Sequence, residues 1–152
     1  MTTMLTAESV QTLTIQKSVF IGAPLAVSWA AIFEEMGPGS VLPDGKPFPM
    51  KIEQWPGGRW FRDLGNNTGH LWGHVQVIKP PALLEICGPM AMSYPAYNFI
   101  QYRLKEEGTG TRLTLNHRAM GLIPPEHVAE MPKGWEHGIG RVKELAEKRA
   151  RR

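Results

Sequence analysis

The chain has 152 residues, 42% hydrophobic and 20% charged, a balance typical of a globular domain with enough length to bury one core. A single cysteine excludes an internal disulfide, and no apolar run reaches the roughly 18 residues that a membrane-spanning helix needs. The net charge of +3 does not argue for nucleic acid: much of the basic excess (Arg141, Lys143, Lys148, Arg149, Arg151, Arg152) falls in the final segment, where cations complement a helix C-terminus and no aromatic–basic platform accompanies them.

Residues 1–10 are polar, lack a signal-peptide pattern and read as a loose leader; a single domain is expected over 11–150, in a reducing, cytoplasmic setting. Residues 12–21 alternate like a first strand. Ala23-Pro24 opens a helix whose apolar side is Leu25, Trp29, Ile32, Phe33 and Met36, and Gly37-Pro38-Gly39 stops it. A Pro/Gly loop over 37–49 is of the kind that borders a pocket. A hairpin centred on Gly57-Gly58 would pair Trp55 with Trp60 and Glu53 with Arg62, placing all four on one face. Strands near 70–79 and 82–88, split by Pro80-Pro81, precede a Met/Pro/Tyr segment, Pro89 to Tyr97. Two further strands, 99–105 and 111–118, flank the Gly108-Thr109-Gly110 turn.

From Pro132-Lys133-Gly134 the pattern changes. Trp135, Ile139, Val142, Leu145 and Ala146 recur at steps of three and four, so one face of a long C-terminal helix is apolar. Such a stripe has to be buried, and the concave face of a curved sheet is the one candidate partner. The fold class is therefore α+β, about six to seven antiparallel strands wrapped around the helix, an arrangement that leaves room for a cavity.

Several side chains carry potential chemistry. His117 follows Leu113 and Leu115 in the same alternation and points inward, either as a general base or as a satisfied core histidine. Tyr102 shares its face with Ile100 and Leu104, so its hydroxyl needs a partner inside. His137 lies about 200° round the helix from Trp135 and is expected to face solvent. His70 and His74 sit in a strand, where residues four apart are about 13 Å apart, too far to share one metal ion. The methionines at 36, 50, 90, 92, 120 and 131 read as ordinary packing, and Cys87 as a small buried hydrophobe. Gly138 and Gly140 cost the helix about 1 kcal/mol each; close approach of the helix to sheet or ligand is one reason to keep them. No nucleophile elbow is present, and Cys87 has no activating context.

Pro56-Gly57-Gly58-Arg59-Trp60, Gly73-x-Val75 leading to Pro80-Pro81, Gly110-Thr111-Arg112-Leu113-Thr114-Leu115 and Gly134-Trp135-x3-Ile139-x2-Val142-x2-Leu145, in this order, resemble the SRPBCC (START-like) superfamily, and within it the group related to the C-terminal domain of the activator of Hsp90 ATPase. The resemblance covers residues 11–148 and implies a helix-grip fold. It also implies binding of a small apolar or aromatic molecule in a cavity between sheet and helix; no cofactor is expected, and the spacing of the histidines and the single cysteine gives no reason to expect a metal. The candidate ligand-binding residues are Glu53, Trp55, Trp60, Arg62, Tyr102, His117, Trp135 and Ile139. A cyclase- or aromatase-like enzyme using His117 or Glu53 as acid/base, or a co-chaperone-like interaction module, are the alternatives. The expected partner is a small hydrophobic molecule, without nucleic acid or stable membrane insertion, for a monomer or homodimer. The loop at 37–50 and the Pro89 to Tyr97 segment depart from the family pattern, and both are expected near the pocket mouth.

Overall fold

The alternation by two that runs through most of the chain becomes one sheet. The computed structural model describes residues 1–152; residues 1–10 carry neither helix nor strand and are exposed. The elements are β1 (Gln11–Ile21), α1 (Leu25–Glu35), β2 (Lys51–Ile52), β3 (Arg59–Gly65), β4 (Thr68–Lys79), β5 (Leu83–Gly88), β6 (Ala96–Glu107), β7 (Gly110–Gly121) and α2 (Pro125–Ala150). All seven strands form a curved antiparallel sheet in the order β1-β7-β6-β5-β4-β3-β2. No helix is long and apolar enough to cross a membrane.

Period two sets the inner face. Leu84 and Ile86 on β5, Ile100, Tyr102 and Leu104 on β6, and Leu113, Leu115 and His117 on β7 are all buried. Against them α2 lays Trp135, Ile139, Val142 and Ala146. Each large apolar side chain buried this way contributes about 1.5–3 kcal/mol. α1 packs beside α2 through Trp29, Ile32 and Phe33. The expected helix-grip arrangement is the one observed.

α2 begins well before Pro132. Pro124 precedes it and Pro125 takes the first helical position, where a missing N–H costs nothing. Pro132, inside the helix, deprives only the Val128 carbonyl of its partner. Gly138 and Gly140 are not positions of close approach: a Cβ at Gly140 meets nothing within 4 Å, and one at Gly138 meets Trp135 and Glu35 at 3.8 and 3.9 Å.

The β2–β3 hairpin departs from its expected register. Ile52 opposes Trp60 and Lys51 opposes Phe61, so the connection is the six-residue turn 53–58 rather than a tight Gly57-Gly58 turn. Glu53 consequently pairs with Arg59, not Arg62. Its carboxylate receives Arg59 Nε, Nη2 and backbone N–H, each at 2.8 Å, and clips the turn shut. Trp55, in that turn, is 56% exposed and does not face Trp60. Cys87 is also displaced from expectation: it lies half-buried on the opposite sheet face from Leu84 and Ile86, beside Gln76.

In β4 Trp72 is an extra residue: Trp60 pairs with Gly73, but Phe61 pairs with Leu71. This bulge resets the alternation, so Trp72 and Val75, three apart, both turn inward while His70 and His74 stay exposed.

A buried polar relay fixes α2 on the sheet. The indole N–H of Trp135 donates to His117 Nδ1 at 2.8 Å, and His117 Nε2 lies 2.7 Å from Asn98 Oδ1. Asn98 Nδ2 in turn donates to the Gly88 carbonyl at 3.0 Å. An indole can only donate, so Nδ1 must be the bare nitrogen and Nε2 must carry the proton. His117 is thus neutral, and burial pushes its pKa down to about 4. An imidazole ordinarily titrating near 6.5 therefore supports the fold above that pH and withdraws its support as pH falls through 4. Trp135→Phe keeps the ring but strands Nδ1; we expect a loss of about 1–3 kcal/mol in urea denaturation at neutral pH, with the fold retained.

Candidate functional site: an aromatic cavity with one unpaired acid

Between α2 and the sheet lies a cavity of about 500 Å³. Its walls are mostly apolar. Trp60 and Trp72 come from β3 and β4, Tyr102 and His117 from β6 and β7, and Trp135 and Gly138 from α2. Trp60 and Trp72 meet edge to face with ring centroids 5.0 Å apart, and Phe48 packs on Trp72 at 6.0 Å. The Trp60 indole donates to the Met36 carbonyl at 2.9 Å, tying β3 to the end of α1. Met50, Met90, Met92 and Met131 also line the space, so four of the methionines read as scattered packing gather at one site.

Both segments flagged as departures border this cavity: Ser40, Val41, Leu42, Pro43 and Phe48 from the first, and Met90, Ala91, Met92 and Tyr94 from the second. Each is fastened to α2 by a histidine. His137, expected in solvent, instead reaches the Val41 carbonyl from Nε2 at 2.9 Å. His127 Nδ1 lies 2.7 Å from the Tyr94 hydroxyl. Arg141 adds a third tie, Nη2 to the Gly39 carbonyl at 3.3 Å. The mouth is therefore built from α2 and two loops that it holds.

Of the eight residues singled out in the sequence, Trp60, Tyr102, His117 and Trp135 line the cavity. Ile139 is core beneath it, 7% exposed. Glu53 and Trp55 belong to the exposed turn, and the Arg59 guanidinium holds the Glu53 carboxyl down at about 2, so it is a permanently ionised clip rather than an acid or base. Arg62 does turn toward the inner side, but its guanidinium stacks 3.7 Å over the Phe48 ring instead of pairing with Glu53. His117 cannot serve as a general base while both of its nitrogens are engaged in the relay.

The titratable group that the cavity does present is Glu35, the last residue of α1. A carboxylate there opposes the helix macrodipole, which favours cations at that end. Glu35 has no ion pair: Arg141, the nearest cation acting on it, engages Glu144 at 3.3 Å and the Gly39 carbonyl. Burial outweighs the attraction of Arg141 and pushes the Glu35 pKa up to about 7. Beside it, burial first and the Glu35 charge second raise the Tyr102 hydroxyl far above its ordinary range, so it stays protonated. The sequence carried a sign of Glu35: it lies three residues after Ile32 and four after Ala31, both fully buried, and so falls on the buried side of α1.

A raised carboxyl pKa favours the fold at low pH and withdraws that stability as pH rises from 4.5 through about 7. Glu35→Gln should therefore be more stable than the parent near pH 8, by about 1–3 kcal/mol in urea denaturation, and indistinguishable from it near pH 4.5.

No known family profile and no curated protein matches the sequence. Solved structures do. An uncharacterized protein from Rhizobium leguminosarum superposes with a TM-score of 0.72 at 16% identity, covering 94% of this chain and 99% of its own. CalU16 from Micromonospora echinospora gives 0.59 at 23% identity over 90% and 76%. An AHSA1-like protein from Rhizobium etli gives 0.58 at 25% identity over 90% and 83%. With the strand order and the gripped helix, these likenesses show a helix-grip fold, consistent with the SRPBCC (START-like) superfamily that the ordered motifs resemble.

Proposed function

We propose that the protein binds a small apolar or aromatic molecule in the cavity between sheet and α2. The observation that carries this reading is the cavity itself: about 500 Å³, walled by six aromatic rings and four methionines, with a mouth framed by two loops. Spaces of this size and lining are what ligand pockets have in common, and an interior packed only for stability would be filled. Aromatic walls offer large contact area at little entropic cost, and methionines adapt to irregular ligand shapes.

A second reading, an enzyme acting by proton transfer, is favoured by one observation. Glu35, poised near neutrality in an enclosed site, has the property that general acid–base catalysis requires, whereas His117 and Glu53 do not. Binding is the more economical account, because no second group positioned for reaction accompanies Glu35 apart from the Tyr102 hydroxyl.

The test is titration with 1-naphthylmethanol, followed by fluorescence of the wall tryptophans. We expect saturable one-to-one binding. Gly138→Leu should abolish it, since a side chain there projects past Trp135 toward Glu35, while helix propensity improves by about 1 kcal/mol. Absence of saturation by this alcohol and also by its amine counterpart, 1-naphthylmethylamine, up to their solubility, or unchanged binding in a folded Gly138→Leu variant, would overturn the proposal.

A further inference from the structure

The lining of the cavity is electrostatically at odds with the rest of the chain. The protein has 17 lysines and arginines against 14 aspartates and glutamates, yet the cavity is lined by two glutamates, Glu35 and Glu130, and by no lysine, arginine or aspartate. Glu35 sits inside and Glu130 on the first turns of α2, toward the mouth.

No element packed around Glu35 gives it a hydrogen bond or an ion pair, although Arg141 attracts it from a distance. From α2, Arg141 directs its two Nη atoms to Gly39 and Glu144 while its buried Nε has no partner, His137 is turned to Val41, and Gly138 contributes only backbone. From β6 comes the Tyr102 hydroxyl, which stays protonated. From β7 comes His117, held neutral by the relay. Arg62 stacks on Phe48 outside the lining and is not among the charges that act on Glu35. A carboxyl kept largely out of water and given no partner costs stability, and a site that keeps such a group leaves it for something else to satisfy.

The remaining wall is suited to one class of partner. Trp60, Trp72, Trp135, Tyr102 and Phe48 line the space with aromatic rings, which are apolar and whose π systems attract cations. Building on the binding reading above, we infer that the ligand is a hydrophobic amine, whose ammonium group pairs with the Glu35 carboxylate while its apolar body fills the aromatic cavity. A neutral ligand would fill the same walls but deepen the desolvation of Glu35. An ammonium ion supplies the missing charge, and a pair held between α2 and the sheet is screened less than one in open water.

Ionisation of Glu35 is then part of binding. An amine that is itself charged throughout should bind more tightly as pH rises through about 7, because less work is needed to ionise the carboxyl. The probes are 1-naphthylmethylamine, positively charged across this range, and its neutral isostere 1-naphthylmethanol. Near pH 8 the amine should bind at least about tenfold more tightly than the alcohol, and the advantage should shrink toward pH 5. Glu35→Gln should bring the amine to the affinity of the alcohol, with the alcohol bound by the variant at least as tightly as by the parent, and retained alcohol binding shows that the variant is folded. An amine no tighter than the alcohol, or an amine advantage that survives Glu35→Gln, overturns the inference while the cavity remains a binding site. Failure of both probes overturns the binding reading as well.

Discussion

The indole N–H of Trp135 points at a buried imidazole nitrogen, and the geometry of the whole grip follows from that bond. Hydrophobic burial alone would let a 26-residue helix slide or rotate within a concave sheet, since the apolar stripe is longer than any one contact. The relay through His117, Asn98 and Gly88 ties the helix in turn to β7, β6 and β5, and it works only with His117 neutral and in one tautomer. Unmade, each of these buried groups would be costly, so the relay specifies position more than it adds stability. With α2 held at Trp135, the helix lies across the sheet without filling the space toward β3 and β4, and that space is the cavity.

Two glycines and one acid keep the space open and give it character. Gly134 and Gly138 line the cavity from the helix without crowding it, and neither is demanded by backbone contact. Glu35 is a costlier feature. It stands at the wrong end of a helix for its charge, unpaired and largely desolvated, in a protein that elsewhere pairs its acids well: Glu53 with Arg59, Glu107 with Arg112, Glu147 with Lys143. Its shift opposes that of His117. Between roughly pH 4.5 and 6.5 the unfolded chain gains a proton on the histidine that the folded chain does not, while the folded chain keeps one on Glu35 that the unfolded chain has lost. The two contributions to the pH dependence of stability cancel there, so the loss owed to Glu35 shows only from about pH 6.5 to about 7 and is complete above that.

Much of this was legible in the sequence. Trp135 announced itself at the head of a stripe with helical spacing. Tyr102 and His117 declared an inward face through strict alternation with Ile100, Leu104, Leu113 and Leu115. The two loops at the mouth stood out by composition. The failures have definite causes. Glu53, Trp55 and Arg62 were misplaced because a Gly-Gly pair suggests a two-residue turn, whereas the Glu53–Arg59 clip stabilises a turn of six. Alternation gives no face for Trp72, because a bulge in β4 breaks the period on which such an assignment depends. His137 reached a loop carbonyl that no helical wheel reveals. Glu35 is hard to find from sequence, because a Glu-Glu pair ending a helix resembles a solvated terminus and only the spacing from Ala31 and Ile32 indicates otherwise.

The account turns on a carboxyl that is neutral or charged according to what shares its cavity. Carbon-13 NMR of side-chain-labelled glutamate, with the Glu35 resonance assigned by its loss in Glu35→Gln, follows that group directly. The account predicts titration about 7 in the free protein and a clear fall when 1-naphthylmethylamine is present in excess. A Glu35 resonance that titrates in the ordinary carboxylate range without ligand, or that the amine leaves unmoved, would contradict it.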